Sequence, residues 1–177
     1  MTARRWTDWR RILKGGLWAR LVVCAAIASL LIAAACSDGL MAGLQGGLAR
    51  VTGAVLSVLG QAPVVDGNTV ATEHFGLTVV TGCTGLFITG LFLVAVIAFP
   101  ARVFARLIGV GIGIGGIFVL NVVRLVTLYF IGVHLPHLVE TAHLLIWQSL
   151  LIVLAVLLWL VWVGVWGRSP QRKEATR

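Results

Sequence analysis

The chain has 177 residues, of which 59% are apolar and only 11% are charged, and its mean hydropathy is +1.02. Water-soluble domains average roughly 45–50% apolar and about 25% charged residues, so this composition excludes an ordinary soluble domain and predicts a single polytopic membrane domain over residues 1–177. The net charge of +8 does not indicate a nucleic-acid partner, because the basic residues flank apolar segments and do not form one basic stripe.

Four apolar segments approach the length of about 20 residues that a helix needs to cross a bilayer. In chain order, the predicted spans are residues 17–36, 84–99, 107–131 and 144–166, with basic tails over residues 1–16 and 167–177. The second span is the shortest. The predicted fold class is therefore an all-α membrane protein with about four transmembrane helices.

Residues 37–83 form the long connection between the first two spans. Leucine and valine recur at helical spacing over residues 40–59, which predicts an amphipathic helix lying on the membrane. Arg50 and several glycines argue against a further span there. Asp66, Gly67 and Asn68 form a turn signal between valines, which predicts a small β-hairpin leading to Cys83.

The distribution of charge predicts the orientation of the spans. Twelve of the fourteen Lys and Arg residues lie in the N-terminal tail or at the start of the first span, in the connection over residues 100–106 and in the C-terminal tail, and four of the six acidic residues lie in the opposite loops. Because cytoplasmic loops carry the excess of Lys and Arg, both termini are predicted to be cytoplasmic. We expect a multi-pass protein of the cell's inner membrane, with residues 37–83 and 132–142 outside.

Cys83, Arg124 and His143 fall at the same end of three predicted spans. Arg124 lies seventeen residues beyond Leu107, roughly 26 Å along a helix, whereas the hydrocarbon core is about 30 Å thick. An arginine inside a span is costly and usually functional. The competing interpretation is a snorkelling anchor, although apolar residues continue through Ile131. The three side chains are predicted to meet at the outer surface.

The chemistry of these side chains suits acyl transfer to a thiol. Cys83 stands between Gly82 and Gly85 at a predicted helix N-terminus, where a thiolate is favoured and where glycines let a substrate backbone approach. His143 is suited to proton transfer. The competing interpretation of Cys83 is a small buried packing residue. Asn121 is predicted to share a helical face with the arginine three residues later and to orient its guanidinium.

Three short motifs carry a resemblance to a known family. Thr81-Gly82-Cys83-Thr84-Gly85, Asn121-Val-Val-Arg124 and Ala142-His143 resemble, in order and spacing, motifs of the exosortase/archaeosortase family. These are membrane transpeptidases whose fold is unrelated to that of soluble sortases. The resemblance covers about residues 64–162, and Thr84 stands where the family more often has serine.

The resemblance implies a cysteine peptidase that cleaves C-terminal sorting signals of exported proteins through a thioacyl-enzyme and transfers them to an acceptor. It implies catalytic roles for Cys83, Arg124 and His143, and no cofactor or metal. The implied supporting residues are Gly82, Thr84, Gly85 and Asn121. The implied substrate ends in a short motif, one transmembrane helix and a basic tail, and the acceptor, a lipid or an amine, is left open.

Two alternatives belong to other functional classes. His134, His137, Glu140 and His143 recur at intervals of three residues, as ligands of a metal-binding membrane protein would, although Pro136 disturbs a helix through them. The other alternative is a non-catalytic membrane assembly factor, which would tolerate replacement of Cys83. Replacement of His134 and His137 separates the metal site from the enzyme, since the enzyme predicts little effect.

Overall fold

The computed structural model describes residues 18, 21–30, 32, 33 and 35–167. The predicted N-terminal tail, the C-terminal tail beyond Gly167 and parts of the first predicted span lie outside the described residues. The elements are α1 (Leu21–Leu30), α2 (Asp38–Val58), β1 (Val64–Asp66), β2 (Thr69–Ala71), β3 (Gly76–Thr78), α3 (Leu86–Ala98), α4 (Val103–His134) and α5 (Pro136–Gly167). The fold is thus mostly helical, with one small sheet.

Within the part of the chain that the structure describes, two helices are long and apolar enough to cross a membrane. α4 and α5 have 32 residues each, and only 22% and 11% of their most apolar windows are buried within the protein. Most of their apolar surface therefore faces outward, unlike that of a core helix in a soluble protein. α3 has only 13 residues, or about 20 Å, so it is a shorter apolar helix than the two long ones, and the second predicted span stays a prediction.

The helices α4 and α5 extend beyond the predicted spans and take up most of the connections. α4 begins at Val103, inside the predicted loop over residues 100–106, and ends at His134. Leu135 leaves the helical conformation, with φ −138° and ψ 61°, and Pro136 opens the next helix. Proline suits this position because the first helical residues need no N–H donor. The predicted loop over residues 132–142 is therefore largely helical.

The cap, which we define as α2 with β1, β2 and β3, contains a three-stranded sheet where the sequence predicts a hairpin. The strands are antiparallel in the order β1-β2-β3. The predicted turn is present, and Gly67 adopts a φ of +57° there, which glycine allows without steric cost. The third strand is the segment that leads to Cys83.

The amphipathic helix is present nearly as predicted, but its buried face packs on the sheet and on α4. A Cβ added to Gly53 would lie 2.6 Å from the Val65 side chain, and one added to Gly46 would lie 3.3 Å from the Gly67 carbonyl. These close contacts hold α2 against the sheet, and since α2 also keeps exposed apolar side chains, its position on the membrane stays a prediction. The cap core contains side chains from α2, the sheet and the C-terminal half of α4.

The bundle, which we define as α3, α4 and α5, is held by close approach at glycines. A Cβ at Gly109 would lie 2.7 Å from the Trp162 ring, and one at Gly116 would lie 2.9 Å from Leu158. Gly113 meets Phe92 of α3 in the same way. Small residues on one helical face let neighbouring helices pack tightly, so these three glycines of α4 receive side chains of α3 and α5.

Candidate functional site

Cys83 ends a single 3-10 turn, Thr81–Cys83, that joins the cap to α3. The side chain is 2% exposed and the thiol is free. α3 begins at Leu86, and its N-cap Gly85 has a φ of +70°, a conformation that favours glycine. The thiol therefore lies just before the helix N-terminus, two residues further from it than the sequence predicts.

Asn121 fixes the backbone of the cysteine turn. Its Nδ2 atom donates a hydrogen bond of 2.6 Å to the main-chain oxygen of Cys83, and the side chain is 1% exposed. A Cβ at Gly85 would lie 3.4 Å from the Asn121 amide carbon, so glycine also makes room for this amide. The sequence predicts that Asn121 orients the guanidinium of Arg124. In the structure its amide nitrogen instead binds the turn that precedes α3.

Arg124 is buried at 1% exposure, three residues along the same helix. Its Nη2 atom lies 3.4 Å from both ring nitrogens of His143. Among the described residues, its Nε atom has no hydrogen-bond partner. Because a buried cation without full compensation is costly, this arrangement favours a role in the site over a snorkelling anchor.

His143 lies between the thiol and the guanidinium. The Sγ atom of Cys83 is 3.8 Å from Nε2 and 3.9 Å from Nδ1 of the imidazole. Since both nitrogens are nearly equidistant from sulfur, neither points directly at the thiol, and a ring rotation would aim one of them. His143 lies in a π-helical turn, Ala142–Trp147, a distortion of α-helices that occurs frequently at functional sites.

The three residues predicted from separate spans are thus brought together, with Asn121, beside a cavity of about 440 Å³. Thr81, Gly82, Thr84 and Gly85 line it, together with Arg124. A Cβ at Gly82 would meet nothing within 4 Å, and the Thr84 hydroxyl donates to the Thr81 carbonyl at 2.8 Å. Three of the supporting residues, Gly82, Thr84 and Gly85, therefore line the cavity on either side of Cys83 in the chain.

A second cavity of about 290 Å³ continues along α3 towards Trp159. The two cavities share four lining residues, Phe87, Ile88, Leu91 and Gln148. Their other lining residues are largely apolar, so together they form one apolar groove that runs from the cysteine turn along α3. Ala28, Ile32 and Ala35 line its beginning from the first predicted span.

Gln148 was not among the predicted site residues. Its side chain lines both cavities, and it directly follows the π-helical turn that contains His143. The signal in the sequence is a lone amide inside the otherwise apolar fourth predicted span. Gln45 of α2 was also missed, and its Nε2 atom donates to the Thr81 hydroxyl at 3.2 Å.

The competing metal site is not assembled. His134 and His137 are exposed, and within the described part of the chain no three His, Cys, Asp or Glu side chains cluster as ligands. His143 is turned towards Cys83 and Arg124.

Comparison of the chain with protein-family models, curated proteins and solved structures gives no match in any of the three. The functional conclusion therefore depends on the residues of the site.

Proposed function

We propose that this chain is a membrane-embedded cysteine transpeptidase of the exosortase type, which cleaves C-terminal sorting signals from exported proteins. The observation that carries the proposal is the contact of the buried Cys83 thiol with His143, 3.8 Å away, next to a cavity lined by Arg124 and by the chain neighbours of Cys83. A thiol, a base within reach and a buried cation are the groups that acyl transfer requires.

The proposed topology has four spans with both termini in the cytoplasm. α1 and α3 are the two proposed spans besides the long helices α4 and α5. The surface of α3 is uncharged, with Phe87 at 79% exposure and Leu91 at 58%, and it therefore suits contact with lipid. The excess of basic residues in both tails supports this orientation. The site and the cap then lie at the outer face of the inner membrane.

In the first half of the reaction, His143 takes the proton of the Cys83 thiol. The thiolate attacks a backbone carbonyl of the substrate, and a carbon–sulfur bond forms. His143 gives the proton to the departing nitrogen as the carbon–nitrogen bond breaks, and the C-terminal helix of the substrate leaves. The product is a thioester between the exported protein and Cys83.

Arg124 supplies positive charge to both anionic species of this reaction. Its guanidinium lines the cavity and contacts His143, so it lies near the thiolate and near the oxyanion of the tetrahedral intermediate. A fixed cation in a site shielded from water stabilises such charges strongly. Asn121 holds the carbonyl of Cys83 and thereby limits the positions that sulfur can take.

In the second half, a nucleophilic acceptor enters the same cavity. Its hydroxyl or amine gives a proton to His143 and attacks the thioester carbonyl, which breaks the carbon–sulfur bond and restores the thiolate. The acceptor can be a lipid or an amine, and water in its place would make the protein a protease.

The test is co-expression with tagged exported proteins from the same genome that end in a motif, a transmembrane helix and a basic tail. We expect the wild type to remove the C-terminal helix, seen as a smaller product on an immunoblot, and Cys83→Ala to leave every candidate intact. Cys36→Ala is the matched control, because this free cysteine is exposed and lies outside the site.

Identical processing by wild type and Cys83→Ala would contradict the proposal and favour the assembly factor. A positive result is sharpened by trapping the intermediate. A thioester is cleaved by neutral hydroxylamine, so an adduct between substrate and enzyme that this reagent releases identifies the acyl-enzyme on Cys83.

A further inference from the structure

The β3 edge of the cap sheet has outward N–H groups that lack a hydrogen-bond partner among the described residues. Val79 donates its N–H to the Asn68 carbonyl at 2.8 Å, and the Phe75 carbonyl accepts from Thr72 at 3.0 Å. Residues 75, 77 and 79 therefore direct their main-chain groups towards β2. Because this direction alternates along a strand, those of Gly76, Thr78 and Val80 point away from the sheet.

The outward-pointing residues are accessible. Gly76, Thr78 and Val80 are exposed, whereas Leu77 and Val79 are buried. Within the described residues, the N–H groups of the three exposed residues have no hydrogen-bond partner. An edge of this kind is a template for pairing with another extended chain.

The two edges of the sheet differ in their protection. β1 follows Pro63 and ends at Asp66, and proline and charge are common means of blocking an edge. Residues 76–80 read Gly-Leu-Thr-Val-Val, with neither a charge nor a proline. Open edges of this type are used by peptide-binding domains that add a strand of the ligand to their own sheet.

The open edge also leads to the nucleophile. The Val80 carbonyl accepts the N–H of Cys83 at 2.7 Å, so the cysteine turn begins where the edge ends. Thr81 and Gly82 then line the cavity beside the thiol. A chain paired with residues 76–80 would therefore continue directly into that cavity.

From these observations we infer that residues 76–80 bind the extended segment that precedes the scissile bond of the substrate protein, as a fourth strand of the sheet. The inference rests on the proposed function and adds the mode of recognition. Main-chain hydrogen bonds align the substrate, so recognition of this segment tolerates varied side chains. The apolar groove along α3 then receives the part of the substrate that follows the scissile bond.

The first test compares Thr78→Pro with Thr78→Val. Both variants lose the hydroxyl that lies 3.1 Å from the Thr69 hydroxyl, but only proline removes the outward N–H and places its ring at the edge. We expect substrate processing by Thr78→Pro to be about tenfold or more below that of Thr78→Val, since a hydrogen bond and its neighbours are lost. Equal processing by the two variants would overturn the inference.

Folding and the proposed function are checked separately. In a Cys24→Ser/Cys36→Ser background, the rate of Cys83 alkylation by iodoacetamide reports whether the cysteine turn is intact in each variant. If Cys83→Ala processes substrate like the wild type, the proposed function fails. If only Cys83→Ala abolishes processing while Thr78→Pro equals Thr78→Val, the strand inference alone fails.

A second test holds even if the proline variant does not fold. Thr78→Cys in a Cys24→Ser/Cys36→Ser/Cys83→Ala background is oxidised with substrates that carry single cysteines before the cleavage site. A paired strand predicts disulfides at every second substrate position, because side chains alternate between the two faces of a sheet. Absent or uniform cross-linking would overturn the inference.

Discussion

The cap and the bundle are held together in different ways. In the cap, α2, the sheet and α4 all contribute side chains with 0% exposure, among them Leu56, Val70 and Tyr129. The bundle also has side chains with 0% exposure, such as Leu128 and Trp162, but α5 keeps most of its apolar surface outside and the helices meet closely at glycines. Burial of apolar area stabilises the cap, whereas close backbone approach stabilises helices in an apolar surrounding.

The site lies where the two regions meet. Cys83 belongs to the core of the cap, whereas Ala142 and Trp147, which flank the His143 segment, belong to the core of the bundle. The distance between thiol and imidazole is therefore set by how the regions dock, and variants that loosen either region should change it.

The largest effect is expected in the bundle, from Gly109→Leu. A Cβ there would already lie 2.7 Å from Trp162 and 2.8 Å from Val96, and overpacking costs about 1–3 kcal/mol or more. Gly111→Leu is the matched control, since a Cβ at that position meets nothing within 4 Å. The thermal midpoint in detergent should fall much further for Gly109→Leu. Equal midpoints would mean that glycine contacts do not hold the bundle.

The next effect is expected where the regions join, from Asn121→Ala. The variant leaves the Cys83 carbonyl without its donor, which costs about 1–3 kcal/mol for a buried acceptor. We also expect a changed rate of Cys83 alkylation by iodoacetamide, because the turn loses its restraint. Thr127→Ala on the same helix removes only hydrogen bonds from the hydroxyl to main-chain carbonyls of α4. It should leave the alkylation rate unaltered. An unaltered rate in Asn121→Ala would contradict a positioning role.

A smaller effect is expected in the cap, from Tyr129→Phe. The phenol oxygen lies 2.8 Å from the Thr72 hydroxyl and donates to Gln61 at 3.1 Å. Both partners are partly exposed and can bind water, so the loss should be about 1 kcal/mol, measured as a modest fall in thermal midpoint. A loss as large as that of Gly109→Leu would remove the distinction between cap and bundle.

The smallest effect is expected from Gln148→Leu, which changes the wall of the groove and leaves both cores intact. Processing should fall only severalfold, as for one lost hydrogen bond of about 1 kcal/mol. Ser149→Ala is its control, since Ser149 is exposed and does not line either cavity. No difference between the variants would show that the Gln148 amide does not contact substrate.

Local patterns in the sequence predicted the elements of the cap well. The periodicity over residues 40–59 corresponds to α2 at Asp38–Val58, and the Gly67 turn joins β1 to β2. The third strand was missed as a pairing partner, because its register with β2 depends on contacts outside its own segment. Spans were less well predicted, since hydropathy does not report where α3 begins or that α4 and α5 are 32 residues long.

The sequence by itself determined that the chain is apolar and largely helical, and it identified Cys83, Arg124 and His143 as reactive groups at one end of their segments. These features are local, because they depend on composition and on spacing along one helix. Tertiary structure alone decided that Asn121 would bind the cysteine carbonyl, that the His143 ring would lie 3.8 Å from the Cys83 sulfur, and that β3 would keep an open edge. Those outcomes depend on packing between segments far apart in the chain.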